Sequence, residues 1–283
     1  MKKKLFIGMT LGSAVLVAAC GDSATVTDNA SEKSELTLEQ VYEKTIERQQ
    51  ELKSAKATMK VDQTIGVDSE EGAFEMTSTS DFNMDMIIDP IQLYLEGTTA
   101  MKDSESGEEM EAPMKMYMTQ SDGFYIYEET AGSWLKLPQG EYDELMNQAG
   151  IQNDPSEQLR QLEQFVKDFT FEQNDDEYIL TLDTDGEKFK EFALEQAKAS
   201  MGGEEQLLGS MDGLNIEDAQ YVFIIDKETF DMSNMKMDMV MTMEEETGKM
   251  TINQSATVNY SDFNKIDAIT IPQEVIDNAQ VIE

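Results

Sequence analysis

Apolar residues along this chain change their spacing three times. Thr37 and Gln40 form a capping-box pattern, and Leu38, Val41, Tyr42, Thr45, Gln49 and Leu52 follow at helical spacing, which predicts an amphipathic first helix. From about Ala55 to Leu137 the period falls to two, most clearly in Phe82 to Ile88 and Ile91 to Leu95, with Asp89-Pro90 as the turn between them. Met114, Met116 and Met118 alternate next, then Phe124 to Tyr127 and Trp134 to Leu137, as consecutive antiparallel strands would. Between Glu141 and about Gly213 the spacing is helical again: Tyr142, Leu145 and Met146; Leu159, Leu162, Phe165 and Val166; Phe189, Phe192, Ala193 and Ala197. Two short strands, near Phe169 to Phe171 and Tyr178 to Leu182, interrupt this stretch. Strands return at Tyr221 to Ile225, Asn234 to Met243 and Met250 to Tyr260, with a short one at Ile269 to Ile271 ahead of Pro272. Helix, strands, helices, strands is an α+β order.

Methionine is the unusual ingredient of these strands. From Met235 to Met243 it takes every second place, so one face of a single strand carries five thioethers. Met84 with Met86, and Met114 with Met116 and Met118, repeat the pattern. The intervening Asn83, Asp85, Lys115, Thr119, Lys236, Asp238 and Thr242 suit a sheet that is wet on its other side. Three uses are open for the ladders. They are core packing, or the wall of a pliable apolar cavity, because unbranched thioethers adapt where Val and Ile would fix one shape. The third use is copper(I), which thioethers suit, although the absence of histidine and the placement on a sheet face weigh against it. The residues that would line the cavity are Met84, Met86, Ile88, Leu93, Leu95, Met116, Met118, Met237, Met239 and Met241.

Composition narrows the chemistry. Asp and Glu outnumber Lys and Arg 58 to 21, a formal charge of −37. Phosphate contact needs clustered cations that are missing, which excludes a nucleic-acid partner, and anionic headgroups repel such a chain. Without histidine, Ser-His-Asp hydrolysis and His-ligated zinc are excluded. Ser133-Trp134-Leu135-Lys136 matches the string S-x-x-K but lies in strand-like sequence rather than opening a helix. Asp183-Thr184-Asp185-Gly186 hints at a calcium loop, yet that alignment puts Phe192 where a bidentate carboxylate is required, and Asp185 reads better as a helix cap. Asp68, Glu70, Glu71 and the run Asp103 to Glu111 read as solvated turns. No catalytic residue, cofactor or metal is expected, and the chain is not expected to be an enzyme.

The one cysteine, Cys20, follows Lys2-Lys3-Lys4 and an apolar stretch from Leu5 to Ala19, the parts of an export signal too short to span a bilayer comfortably. Val17-Ala18-Ala19-Cys20-Gly21 resembles the lipobox of bacterial lipoproteins. That resemblance implies a signal peptide over residues 1–19, cleavage before Cys20, and a diacylglyceryl group with chains such as palmitate on its thiol. Two acyl chains give stable anchoring where one is marginal, since each buried methylene contributes about 0.8 kcal/mol. Residues 20–36 are small and polar, a lipidated flexible tether, and 37–283 form one domain. The expected place is the extracytoplasmic face of a cell membrane, at a Gram-positive cell surface.

Three further segments carry a family likeness: Gly123 to Tyr127 leading into Gly132 to Leu137, Ile225-Asp226-Lys227-Glu228-Thr229-Phe230 before the long methionine strand, and Asn259-Tyr260-Ser261-Asp262-Phe263-Asn264 before Ile269 to Pro272. Together they resemble LolA/LppX-like bacterial lipoproteins and their Gram-positive relatives. The resemblance implies a strongly curved antiparallel sheet, an unclosed barrel, with helices packed on its concave side around an apolar cavity. Members carry acyl chains of lipoproteins or glycolipids, or have no assigned role. Arg48 and Arg160 are the only arginines here, and neither sits in a gating motif. The expected function is binding or carriage of a lipid or other amphiphile, with a non-catalytic envelope sensor or interaction module whose methionine faces are packing as the alternative.

Overall fold

The computed structural model describes residues 24–27, 34–69, 72–104, 106–129, 132–142, 156–185, 191–192, 213–245 and 248–282. Residues 1–19, expected as a signal peptide, Cys20, Leu145, Met146, Phe189, Ala193, Ala197 and the helix expected after Asp185 lie outside them, apart from a helical pair at 191–192.

The strands, in chain order, are β1 (Thr25–Val26), β2 (Ser54–Ser69), β3 (Gly72–Ile87), β4 (Gln92–Asp103), β5 (Glu109–Thr119), β6 (Gly123–Glu128), β7 (Ser133–Lys136), β8 (Phe169–Gln173), β9 (Glu177–Asp185), β10 (Leu214–Asp226), β11 (Met232–Glu245), β12 (Gly248–Ser261) and β13 (Gln280–Val281). Among the described residues all join one curved, unclosed sheet of 13 strands in the order β1-β8-β9-β10-β11-β12-β2-β3-β4-β5-β6-β7-β13. Two antiparallel meanders, β2 to β7 and β8 to β12, are fused where β12 pairs with β2 from Ser69 opposite Gly248 to Lys56 opposite Ser261. The chain's first and last strands run parallel to β8 and β7 and form the two edges. Such short edge strands leave little unpaired backbone for another chain to join.

The helices are α1 (Leu38–Gln50), α2 (Glu157–Leu162), which runs on into a 3₁₀ turn over Glu163–Asp168, and α3 (Gln273–Asn278), with a further helical turn at 139–142. The Thr37 hydroxyl accepts from the Gln40 amide while the Gln40 side chain accepts from the Thr37 amide, closing the expected capping box. Leu38, Val41 and Tyr42 of α1, Leu159 and Leu162 of α2 and Phe165 of the 3₁₀ turn then pack on one face of β8 to β11. Tyr42 donates to the Leu159 carbonyl at 2.5 Å and its ring lies 5.7 Å from that of Phe169. Burial, and after it the charge of Glu163, hold the Tyr42 phenol well above its ordinary pKa. Arg48, near the end of α1, donates from Nε to Asp231 at 2.7 Å, tying the helix to the turn between β10 and β11. Asp226 shapes that turn by accepting from the amides of Glu228 and Thr229 and from the Thr229 hydroxyl.

A second cluster lies across the sheet. Tyr125 is buried with Ile271 and with Val275 of α3, against Tyr117 and Trp134. The register puts Tyr117 opposite Tyr125 and sets both facing away from the methionines at 116 and 118. The resemblance implied helices on the concave side; here α1 and α2 lie on the methionine face and α3 lies on the other. The reason is local: Tyr117, Tyr125 and Trp134 bring apolar bulk to the wet face, and α3 covers it. Ile269 to Ile271, expected as a strand, join no strand of the sheet. Ile271 is buried under the aromatic cluster, and the Ile269 amide donates to the Gln92 side chain at 3.0 Å. Branched residues favour extended backbone without guaranteeing a ladder partner.

Arg48→Met would strand the Asp231 carboxylate, whose side chain is only 12% exposed. The expected cost is about 2 kcal/mol, that of a lost hydrogen bond to a charged group, read as a lowered midpoint in urea unfolding.

Candidate functional site

Residues opposite each other on neighbouring strands share a face, so the sheet's surface can be read from the register. Met237 on β11 lies between Tyr221 and Ala256, and the row continues through Val61, Ser80 and Thr99 to Ala112. Two residues along each strand, Met235, Val258, Met59, Phe82, Gly97 and Met114 make the next row. The row after that pairs Ala57 with Met84, Met84 with Leu95, Leu95 with Met116 and Met116 with Ile126. Every methionine ladder therefore faces the same side. Met84, Met86, Leu93, Leu95, Met116, Met118, Met237, Met239 and Met241 share that face. Ile88 does not, because it sits in the turn after β3 with its amide donating to the Lys53 carbonyl.

The face has two parts. Met235, Met237, Met239 and Met241 pack against the helical core formed with α1 and α2. Across β12 and β2, Met84, Met86, Leu93 and Met116 are half-buried, as are Met59, Val61, Phe82 and Ile126, while Leu95 and Met118 are buried. Phe82 lies over Gly97, where a Cβ would come within 2.6 Å of the ring and 2.0 Å of the Asp81 carbonyl oxygen. A polar band that the alternation does not announce crosses this side. Gln63 donates to Gln254 at 3.3 Å, and the Ser80 and Thr99 hydroxyls meet at 2.8 Å.

The opposite face is ionic where it is not aromatic. Lys236 pairs with Asp238 at 2.6 Å, Lys60 with Asp62 at 3.3 Å and Lys249 with Glu217 at 3.4 Å. Partial burial pushes the Asp238 carboxyl up, but hydrogen bonds from Lys236 and Ser255 and the Lys236 charge outweigh it, leaving the pKa below its ordinary value. Beside these pairs Tyr94 stacks on Tyr117 at 4.6 Å, and Trp134 sits 5.5 Å from Tyr117 and from Tyr127. Burial, then the hydrogen bond to and charge of Glu96, raise the Tyr94 phenol. Ser133 and Lys136 lie three apart on β7 and so point to opposite faces, with Lys136 over the Tyr125 ring. Asp183 is in a strand and accepts from Gln220 at 2.6 Å.

A cleft of about 430 Å³ opens between α1 and the α2 segment, where Glu39, Glu43, Glu47 and Glu163 surround Tyr42 and Arg160. None of the ladder residues lines it. Among the described residues no group of His, Cys, Asp or Glu is arranged to hold a metal ion. No helix among them is long and apolar enough to cross a membrane.

A family model described as a family of unknown function, DUF6612, matches residues 37–280. The chain belongs to that family. No curated protein matches the chain. Solved structures with a similar arrangement include lipovitellin, at 8% identity over 78% of this chain and 26% of that one, with a TM-score of 0.35. An AttH protein from Nitrosomonas europaea has 8% identity over 75% of this chain and 53% of its own, with a TM-score of 0.22. An outer-membrane lipoprotein-sorting protein domain from Vibrio parahaemolyticus has 11% identity over 85% and 97%, with a TM-score of 0.20. The chain thus spans about a quarter of the first and about half of the second. The lipoprotein-sorting group suggested by the turn motifs is present among these likenesses, but at such TM-scores they carry no argument about activity, and DUF6612 assigns none.

Leu95 and Met118, the buried residues of β4 and β5 on this face, should matter to stability. Leu95→Ala and Met118→Ala are each expected to cost about 2–4 kcal/mol. Met84→Leu, a volume-conserving exchange at a half-buried position, is expected to cost under about 1.5 kcal/mol. Urea unfolding of the three variants checks the order.

Proposed function

We propose that this DUF6612 member is a membrane-anchored extracytoplasmic lipoprotein that binds an amphiphile on the methionine face of its sheet. The observation that carries the reading is the alignment of all the ladders on one surface whose β2 to β6 part is half-buried apolar side chain. Acyl methylenes laid along that part would gain about 25 cal/mol per Å² of apolar area removed from water, and thioethers and Phe82 make few polar demands in return. The polar band at Gln63, Gln254, Ser80 and Thr99 gives a headgroup hydrogen-bonding partners beside the apolar wall. Met237, Met239 and Met241 serve as packing under the helices, so the binding residues are the half-buried Met84, Met86, Leu93 and Met116, with the buried Leu95 and Met118 packed behind them. Cys20, within its lipobox-like sequence, supplies the anchor.

Native mass spectrometry of the full chain, purified from a lipid-containing host, is expected to show a retained amphiphile. A clean unliganded mass, with no displacement of a fluorescent fatty-acid probe by added lipids, would sink the reading. A charge placed in the wall is the sharper test. Met84→Asp and Met116→Asp are each expected to abolish probe binding while the β-sheet circular-dichroism signal is kept.

A further inference from the structure

We infer that the methionine face selects amphiphiles whose polar group is uncharged, seating hydroxyls or carbonyls on the band formed by Gln63, Ser78, Ser80, Thr99 and Gln254. The inference rests on the amphiphile-binding reading above and deepens it, from a surface that holds hydrocarbon to one that sorts lipids by the charge of their headgroup.

The first observation is the distribution of charge. Register and alternation place the odd-numbered residues of β2, β4 and β11 and the even-numbered residues of β3, β5 and β12 on the methionine face. Among these the charged residues are Asp103 and Glu245 alone, and they end β4 and β11. The other face of the same six strands carries Lys60, Asp62, Asp81, Asp85, Glu96 and Lys115 in its middle. A chain with 58 acidic and 21 basic residues thus presents one broad surface that is uncharged up to its rim.

The second observation is what interrupts the apolar side chains there. Gln254, Gln63 and Ser78 stand opposite one another on β12, β2 and β3, in the row that runs from Met239 to Met101. Ser80 and Thr99 face each other in the adjacent row. All five are half-buried. Gln63 donates one amide hydrogen to Gln254, and the Ser80 and Thr99 hydroxyls share one hydrogen bond. An amide side chain has two donors and an acceptor oxygen, and each hydroxyl both donates and accepts, so the band keeps hydrogen-bonding capacity of both kinds for a ligand. Ile252, Ile65 and Met76 form the row on one side of it, and Val258, Met59 and Phe82 the row on the other. Hydrocarbon therefore finds an apolar wall on either side of the polar seat.

Electrostatics then sets the selection. A phosphate on the band meets no cation from this face of these strands, and the acid along β4, Asp103, lies four residues from Thr99, roughly 13 Å by strand rise. A quaternary ammonium meets no carboxylate closer along that strand. Either charge gives up hydration against half-buried neutral side chains without gaining a partner. A hydroxyl or ester exchanges its water for amide and hydroxyl hydrogen bonds, at little net cost.

The test uses the full chain, freed of bound lipid, and three ligands with one acyl chain in common: monooleoylglycerol, oleoyl lysophosphatidylglycerol and oleoylcholine. Calorimetric titration below the micellar concentrations is expected to show the uncharged glyceride binding about tenfold more tightly than either charged ligand. Gln63→Leu combined with Gln254→Leu keeps the side-chain volume and removes the amides. It is expected to weaken monooleoylglycerol about tenfold, the loss of one or two hydrogen bonds, with the β-sheet circular-dichroism signal kept. Ser80→Lys is expected to turn the preference toward lysophosphatidylglycerol, and it guards against a packing fault in the double variant. Equal or tighter binding of the charged ligands to the unaltered chain would overturn the selection and leave amphiphile binding standing. An unchanged glyceride affinity in the double variant would overturn the band as the seat. Binding of none of the three would overturn both readings.

Discussion

Cross-strand register is the constraint on which the rest of this molecule depends. A methionine at every second position of one strand makes only a stripe, and the stripes become a surface because β12 joins β2 in the phase that sets Ala256 against Val61 and Val258 against Met59. A slip of one residue there would turn the β2 to β7 half over, so that Met84, Leu95 and Met116 would share a side with Lys236 and Asp238. Pairing from Lys56 to Ser69 along almost the whole of β2 holds that phase. Turn chemistry holds it too: Asn264 takes the Lys53 amide on its side chain and gives its own amide to the Ser54 carbonyl.

The surface is then used unequally. Over β8 to β11 it disappears under α1, α2 and the 3₁₀ turn, and this is where the fully buried Phe223, Leu180, Leu182 and Ile225 lie. Ion pairing at Arg48 and the hydrogen bond of Tyr42 fasten the helices there. The other half carries chemically similar side chains at intermediate exposure, so the same residue type packs in one place and remains available in another. The sheet's second face divides the opposite way, with ion pairs over β11 and β2 and the aromatic cluster under α3 at β5 to β7.

Much of this was legible in the amino-acid sequence. The capping box, the strands from Ala55 to Leu137 and the methionine strand follow from local spacing, which the backbone obeys whatever its neighbours do. The face shared by Met84, Leu95, Met116 and Met237 was legible strand by strand, but its continuity rests on pairings between residues far apart in sequence. β10 was read short because a bulge between Ile216 and Asp218 breaks the alternation, leaving Ile216 and Ala219 on one face at a spacing of three. Ile269 to Ile271 misled in the other direction, since branched side chains favour a strand, but here Ile271 packs on a sheet face with Tyr125 and Val275. The docking of Ala24 to Thr27 left no signal in a small, polar segment, because its hydrogen-bonding partner is the backbone of β8 and the Gln173 carbonyl. The polar band was hidden as well: Gln63, Gln254, Ser80 and Thr99 hydrogen-bond only across strands.

The two edge strands have a consequence in time. A chain made from its N-terminus completes β2 to β7 before β12 exists, so β2 waits as a long open edge with its methionine face bare. β1 waits too, since Thr27 reaches its partner Gln173 only 146 residues later. Contacts of such sequence separation form slowly and reward the chain late. Both ends of the sheet are sealed only when the whole polypeptide is present, so a growing chain needs protection for that interval, and a chain cut short before β12 would keep a sticky edge.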